Sequence, residues 1–71
     1  MNAPDAYNLR RLQYGPNEYW LPRHVAAAVG MTVEDVEFFV LRKKIPHRGG
    51  RNIYMVRVEA IHKALIREAS A

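Results

Sequence analysis

The sequence contains no cysteine, which removes disulfides and thiolate metal sites as sources of stability and fits a reducing compartment. It has one serine, Ser70, and one threonine, Thr32, so an activated hydroxyl nucleophile has almost no candidates. No apolar run approaches the ~20 residues that span a bilayer. Residues 1–7 lack the basic start and apolar stretch of a signal peptide. The histidines His24, His47 and His62 stand far apart, without ligand-like spacing, so neither a metal nor a cofactor is expected. Glu34 and Glu37 share a helix face, but carboxylates near a helix N-terminus are ordinary dipole partners, and no catalysis is expected. Acid is also missing from one long stretch. Residues 42–57 carry Arg42, Lys43, Lys44, Arg48, Arg51 and Arg57 with no Asp or Glu, while the chain as a whole is only +4. The remainder is therefore net acidic, and the basic stretch points to a polyanionic partner.

What is present suits one small folded domain. The chain has 71 residues, 49% of them apolar, enough for a core and too many for a disordered segment. Residues 1–18 read as a flexible leader, with Asn2, Pro4, Asn8, Gly15, Pro16 and Asn17 scattered through them and no sustained apolar period. Leu9, Leu12 and Tyr14 are the residues able to form a turn or dock. The folded domain is expected over residues 19–71.

A first helix is predicted from Pro22, a residue suited to an opening turn, with Val25, Ala26 and Val29 as its apolar stripe and Gly30 as its stop. Thr32 is an N-cap candidate for a second helix over 32–44. Its first turns carry Glu34, Asp35 and Glu37, and its last turn Arg42, Lys43 and Lys44, the distribution the helix dipole favours. Val36, Phe39 and Val40 face inward, and Ile45-Pro46 closes the helix. Only Gly30 and Met31 separate the first helix from the Thr32 cap, which forces a sharp helix-turn-helix crossing. His47-Arg48, Gly49-Gly50 and the run 51–56 read as strand, tight turn and strand. Val58, Ile61, Ala64 and Leu65 then share one face of a closing helix. Trp20, Phe39 and Tyr54 are core aromatics. The expected fold is mainly α with a small β-hairpin, a winged helix-turn-helix whose wing has two or three strands.

The order of elements, with these residues, resembles the winged-helix family of phage excisionases and the DNA-binding domain of MerR-type regulators. The resemblance covers about 19–65. It rests on Tyr19-Trp20-Leu21-Pro22 followed by the alanine segment ending in Gly30, on Met31-Thr32, on Lys43-Lys44-Ile45-Pro46, and on a basic glycine-containing wing before an apolar strand and last helix. Val36-Glu37-Phe38-Phe39 is similar to the MerR-type apolar-Arg-Tyr-Tyr segment, and small terminase subunits share the arrangement.

The resemblance implies double-stranded DNA as partner, helix 32–44 in a major groove, wing 47–56 on the adjacent minor groove or backbone, and DNA bending. It also implies a phage integrase as functional partner, self-association on adjacent sites, and a location in the cytoplasm of a bacterial or phage-infected cell. Transcription control and DNA packaging are the related outputs. The implied contacts are Arg23, Thr32, Val33, Glu34, Glu37, Phe38, Arg42, Lys43, Lys44, Arg48, Arg51 and Asn52. The family usually places Arg, Ser, Thr, Tyr or Lys on the outward face of the second helix. This chain has Val33, Glu34, Glu37, Phe38 and Leu41 there. Glu can accept a hydrogen bond from cytosine N4, and apolar groups can meet a thymine methyl. If Phe38 and Leu41 are both exposed, the same face favours the alternative of a protein-interaction module; if the helix is rotated a little, they are core.

Overall fold

The computed structural model describes residues 6–49 and 54–70. Four helices and three strands follow in the order α1 (Ala6–Arg11), β1 (Tyr19–Trp20), α2 (Pro22–Val29), α3 (Val33–Lys43), β2 (His47–Gly49), β3 (Tyr54–Arg57) and α4 (Val58–Ser70). The described chain is mainly helical with one three-stranded antiparallel sheet. This architecture is compatible with the expected winged helix-turn-helix.

Local chemistry sets the junction between α2 and α3. Leu21 offers no side-chain cap, and Pro22 opens α2 at a position where its missing N–H needs no partner. Gly30 takes a left-handed conformation at φ 79°, which glycine adopts without a Cβ clash, and its N–H donates to the Ala26 carbonyl. Thr32 is extended, and its hydroxyl accepts the Asp35 N–H at 3.1 Å, satisfying one of the free donors of α3. α3 ends at Lys44, a non-glycine residue held left-handed at φ 53°. Ile45 N–H reaches back to the Val40 carbonyl at 3.0 Å and closes that turn.

The sheet order is β1-β3-β2. Trp20 and His47 both lie opposite Val56, Arg48 opposite Met55, and Tyr19 opposite Arg57. Because side chains alternate across a strand, Tyr19, Arg48, Met55 and Arg57 share one face, and Trp20, His47, Tyr54 and Val56 the other. Val56 is completely buried, and Trp20 and Tyr54 pack against the core. The third strand, β1, spans only two residues, too few to show a period.

The core draws Val25, Ala26 and Val29 from α2, Val36, Phe39 and Val40 from α3, and Ile61 and Leu65 from α4. These are the stripes that the helical spacing predicts. Val58 is also buried, and no polar side chain is buried among the described residues.

The flexible leader expected at 1–18 requires correction from residue 6 onward. Leu9 of α1 is 3% exposed and belongs to the core cluster, with Leu12 packed against it. His62 on α4 donates through Nε2 to the Leu9 carbonyl at 2.7 Å, and its Nδ1 is paired with the Tyr14 hydroxyl. Arg57 donates to the Pro16 carbonyl at 3.1 Å, and Val58 N–H to the Glu18 carbonyl at 3.0 Å. One deeply buried leucine and three carbonyls bonded by residues forty or more positions away hold the segment. None of that produces a local hydrophobic period.

Candidate nucleic-acid interface

Burial of Val36, Phe39 and Val40 turns the opposite side of α3 outward. Val33 (39% exposed), Phe38 (57%) and Leu41 (72%) form an apolar stripe with exposed Glu34 beside it and half-buried Glu37 within it. Of the positions expected to face outward, Val33, Glu34, Phe38 and Leu41 are exposed and Glu37 is half-buried, and their chemistry is apolar and acidic.

α3 and the β2–β3 hairpin meet. A cleft of about 160 Å³ is lined by Glu37, Val40 and Leu41 from α3 and by His47, Gly49 and Tyr54 from the hairpin strands. The rings of His47 and Tyr54 lie edge to face at 5.4 Å, and His47 Nδ1 donates to the Ile45 carbonyl at 3.0 Å. Burial, and then the nearby Glu37 carboxylate, push the Tyr54 phenol above its ordinary pKa. The two elements expected to touch adjacent grooves therefore sit side by side.

Arg48 is exposed on β2, and its guanidinium lies 4.4 Å from the centroid of the Tyr19 ring. That contact holds a long, flexible side chain over a rigid aromatic and contributes on the order of 0.5–1 kcal/mol at an exposed site. Arg51 and Asn52, the other expected wing contacts, lie outside the described residues, as does Gly50. Arg23 is exposed on the first turn of α2. Thr32 is exposed, with its hydroxyl oxygen engaged by the Asp35 N–H.

The bases at the end of α3 are not all directed along its outer face. Arg42 Nη2 lies 3.3 Å from Glu68 Oε1 on α4, and Lys43 Nζ lies 3.3 Å from Glu68 Oε2. Arg42 also lies 5.5 Å from the Phe39 ring centroid and 5.9 Å from that of Phe38. Lys43 first, and Arg42 with it, hold the Glu68 carboxyl below its usual range. Arg57 is likewise shared with Glu59 at 3.6 Å and with the Pro16 carbonyl. Exposed pairs of this kind contribute roughly 0–1 kcal/mol each, so a phosphate can compete for these cations.

The chain matches no known family, curated protein or solved structure. Each side chain's role therefore rests on its place in the fold. Among the described residues, no group of three His, Cys, Asp or Glu side chains could hold a metal ion, and no helix is long and apolar enough to cross a membrane. Sequence reasoning missed Tyr19 as the seat of Arg48 and Glu68 as the partner of Arg42 and Lys43. The second pairing spans two helices and has no local signal.

Proposed function

We propose that the protein is a winged helix-turn-helix that binds double-stranded DNA, with α3 in a major groove and the β2–β3 wing on the adjacent minor groove and backbone. The observation that carries this reading is the junction of α3 and the β2–β3 hairpin along one cleft, next to the stretch 42–57 that holds six basic residues and no acid. Arg48, seated on Tyr19, is the preorganised contact for phosphate or a narrow minor groove. Val33, Phe38 and Leu41 suit thymine methyl groups, and Glu34 and Glu37 suit cytosine amino groups. Phosphate grip then supplies affinity, and geometry supplies bending. The biological output proposed is that of a phage or mobile-element excisionase working with an integrase, or of a small transcription regulator. Neighbouring copies on adjacent sites and a DNA-packaging role are compatible variants.

A salt titration with a random duplex tests the reading. Arg23, Lys44 and Arg48 have no carboxylate partner among the described residues. With Arg51 they offer about four phosphate contacts, so log K should fall against log salt with a slope of roughly −3.6. Binding unchanged between ~50 and ~200 mM salt defeats the phosphate grip.

One observation favours a second reading, a protein-interaction module. Phe38 and Leu41 are 57% and 72% exposed on a helix face that also carries acids, a composition closer to a protein contact than to a phosphate contact.

A further inference from the structure

A second basic feature lies between the end of α3 and α4. Ala60, Lys63, Ala64 and Arg67 recur at helical spacing and form one stripe of α4. They line a groove of about 290 Å³ whose other wall includes Lys43 and Lys44. The two alanines keep the groove open where larger side chains would fill it. Four cations converge there, and no carboxylate lines the groove. Two acids reach its rim. Glu68 takes Lys43 at 3.3 Å, and Glu59 takes Lys63 at 3.5 Å. Lys44 and Arg67 have no carboxylate partner among the described residues.

Lys44 and Arg67, cations on one groove left without a carboxylate, favour a counter-anion that joins them. Lys44 adds a second sign, because it occupies a left-handed position at φ 53° that glycine would fill with less strain. A lysine there gives up backbone stability to place an ammonium at the groove.

We infer that this groove is an oxyanion site that takes a phosphate group, held by Lys44 and Arg67 with Lys63 and Lys43 beside them. Arg67 offers a planar fork to two phosphate oxygens, and the lysines offer mobile point charges. The phosphate belongs either to a nucleic-acid backbone or to free inorganic phosphate. The site shares Lys44 with the proposed duplex contacts but lies apart from the outer face of α3 and from the wing, and it stands whether or not those bind a duplex.

The test uses the full chain in three forms: parent, Lys63→Gln with Arg67→Gln, and Lys63→Arg with Arg67→Lys. Both positions are exposed, and circular dichroism confirms folding. In the first arm, inorganic phosphate is titrated at constant ionic strength made up with sodium chloride, and amide shifts are read by NMR. Saturable shifts at Lys44, Lys63, Ala64 and Arg67 are expected in the parent and in the charge-keeping variant, and are lost in the glutamine variant. In the second arm, a random duplex is titrated. If the phosphate is a backbone phosphate, Lys63 and Arg67 add two contacts and steepen the parent's salt slope from about −3.6 to about −5.4, and the glutamine variant returns it to about −3.6 and weakens binding about tenfold or more. Phosphate shifts without an effect on duplex binding identify free phosphate as the source. A parent chain that binds no duplex at all overturns the function proposed above and leaves the phosphate arm to decide this site. Absence of saturable groove shifts with phosphate, together with unchanged duplex binding by the glutamine variant, overturns the site.

Discussion

Truncating Leu9 to alanine tests whether α1 is part of the folded domain. Leu9 is 3% exposed and belongs to the same cluster as Val25, Phe39 and Leu65. Large-to-small changes of a buried leucine destabilise by about 2–5 kcal/mol, depending on how far the site can collapse. Here the site has room to relax. A shallow groove of about 260 Å³ lined by Ala6, Leu9, Arg10, Ile66 and Ala69 lies beside it, and α1 is only six residues long. The lower part of the range applies, about 2–3 kcal/mol. For a domain of this size each kcal/mol moves the midpoint by about 4–8 °C, so thermal unfolding followed by circular dichroism should show a fall of about 10–20 °C. A fall of less than about 2 °C, under half a kcal/mol, would show that α1 does not share the core.

Phe39→Ala removes a core aromatic that is 3% exposed, and a loss of about 3–5 kcal/mol should leave much of the population unfolded by circular dichroism at room temperature. Lys44→Gly relieves the left-handed strain at φ 53° and should raise stability by about 0.5–1 kcal/mol in urea denaturation, after allowing for the entropy of glycine. Glu68 has a folded-state pKa below its ordinary value because of Lys43 and Arg42. Its contribution to stability is therefore present above the usual carboxylate range and is lost as pH falls through the depressed value. Glu68→Gln should flatten that acid limb of the pH–stability curve, and an unchanged limb would remove the pair from the account.

Helices α2, α3 and α4 were legible because each carries its own period and punctuation. Val25, Ala26 and Val29 mark one face, Gly30 and Thr32 mark a stop and a start, and Val58, Ile61 and Leu65 mark the last face. The inner stripe of α3, Val36, Phe39 and Val40, was legible for the same reason, but a small rotation of the helix decides between core and surface for Phe38 and Leu41, and the structure exposes both. What escaped depends on distant pairing. The leader docks through one leucine and through carbonyls that receive His62 and Arg57, and β1 is two residues paired to a strand far along the chain. The charge count of 42–57 was readable, but not that Glu68 engages Arg42 and Lys43, because that depends on how α4 crosses the end of α3. The seat of Arg48 on Tyr19 likewise exists only once β1, β3 and β2 lie side by side.

The central claim is that the wing grips DNA, and the most direct measurement compares two folded double variants by fluorescence anisotropy on one random duplex at low salt. Arg48→Ala with Arg51→Ala removes two charge-assisted contacts from a hairpin whose β2 residues are all exposed, so circular dichroism should be unchanged while affinity falls about tenfold or more. Phe38→Ser with Leu41→Ser alters the exposed α3 stripe without removing positive charge, so its loss should be smaller and the salt slope should keep its value. If the folded arginine variant binds the duplex as tightly as the parent, the DNA mechanism is wrong, whatever the fold.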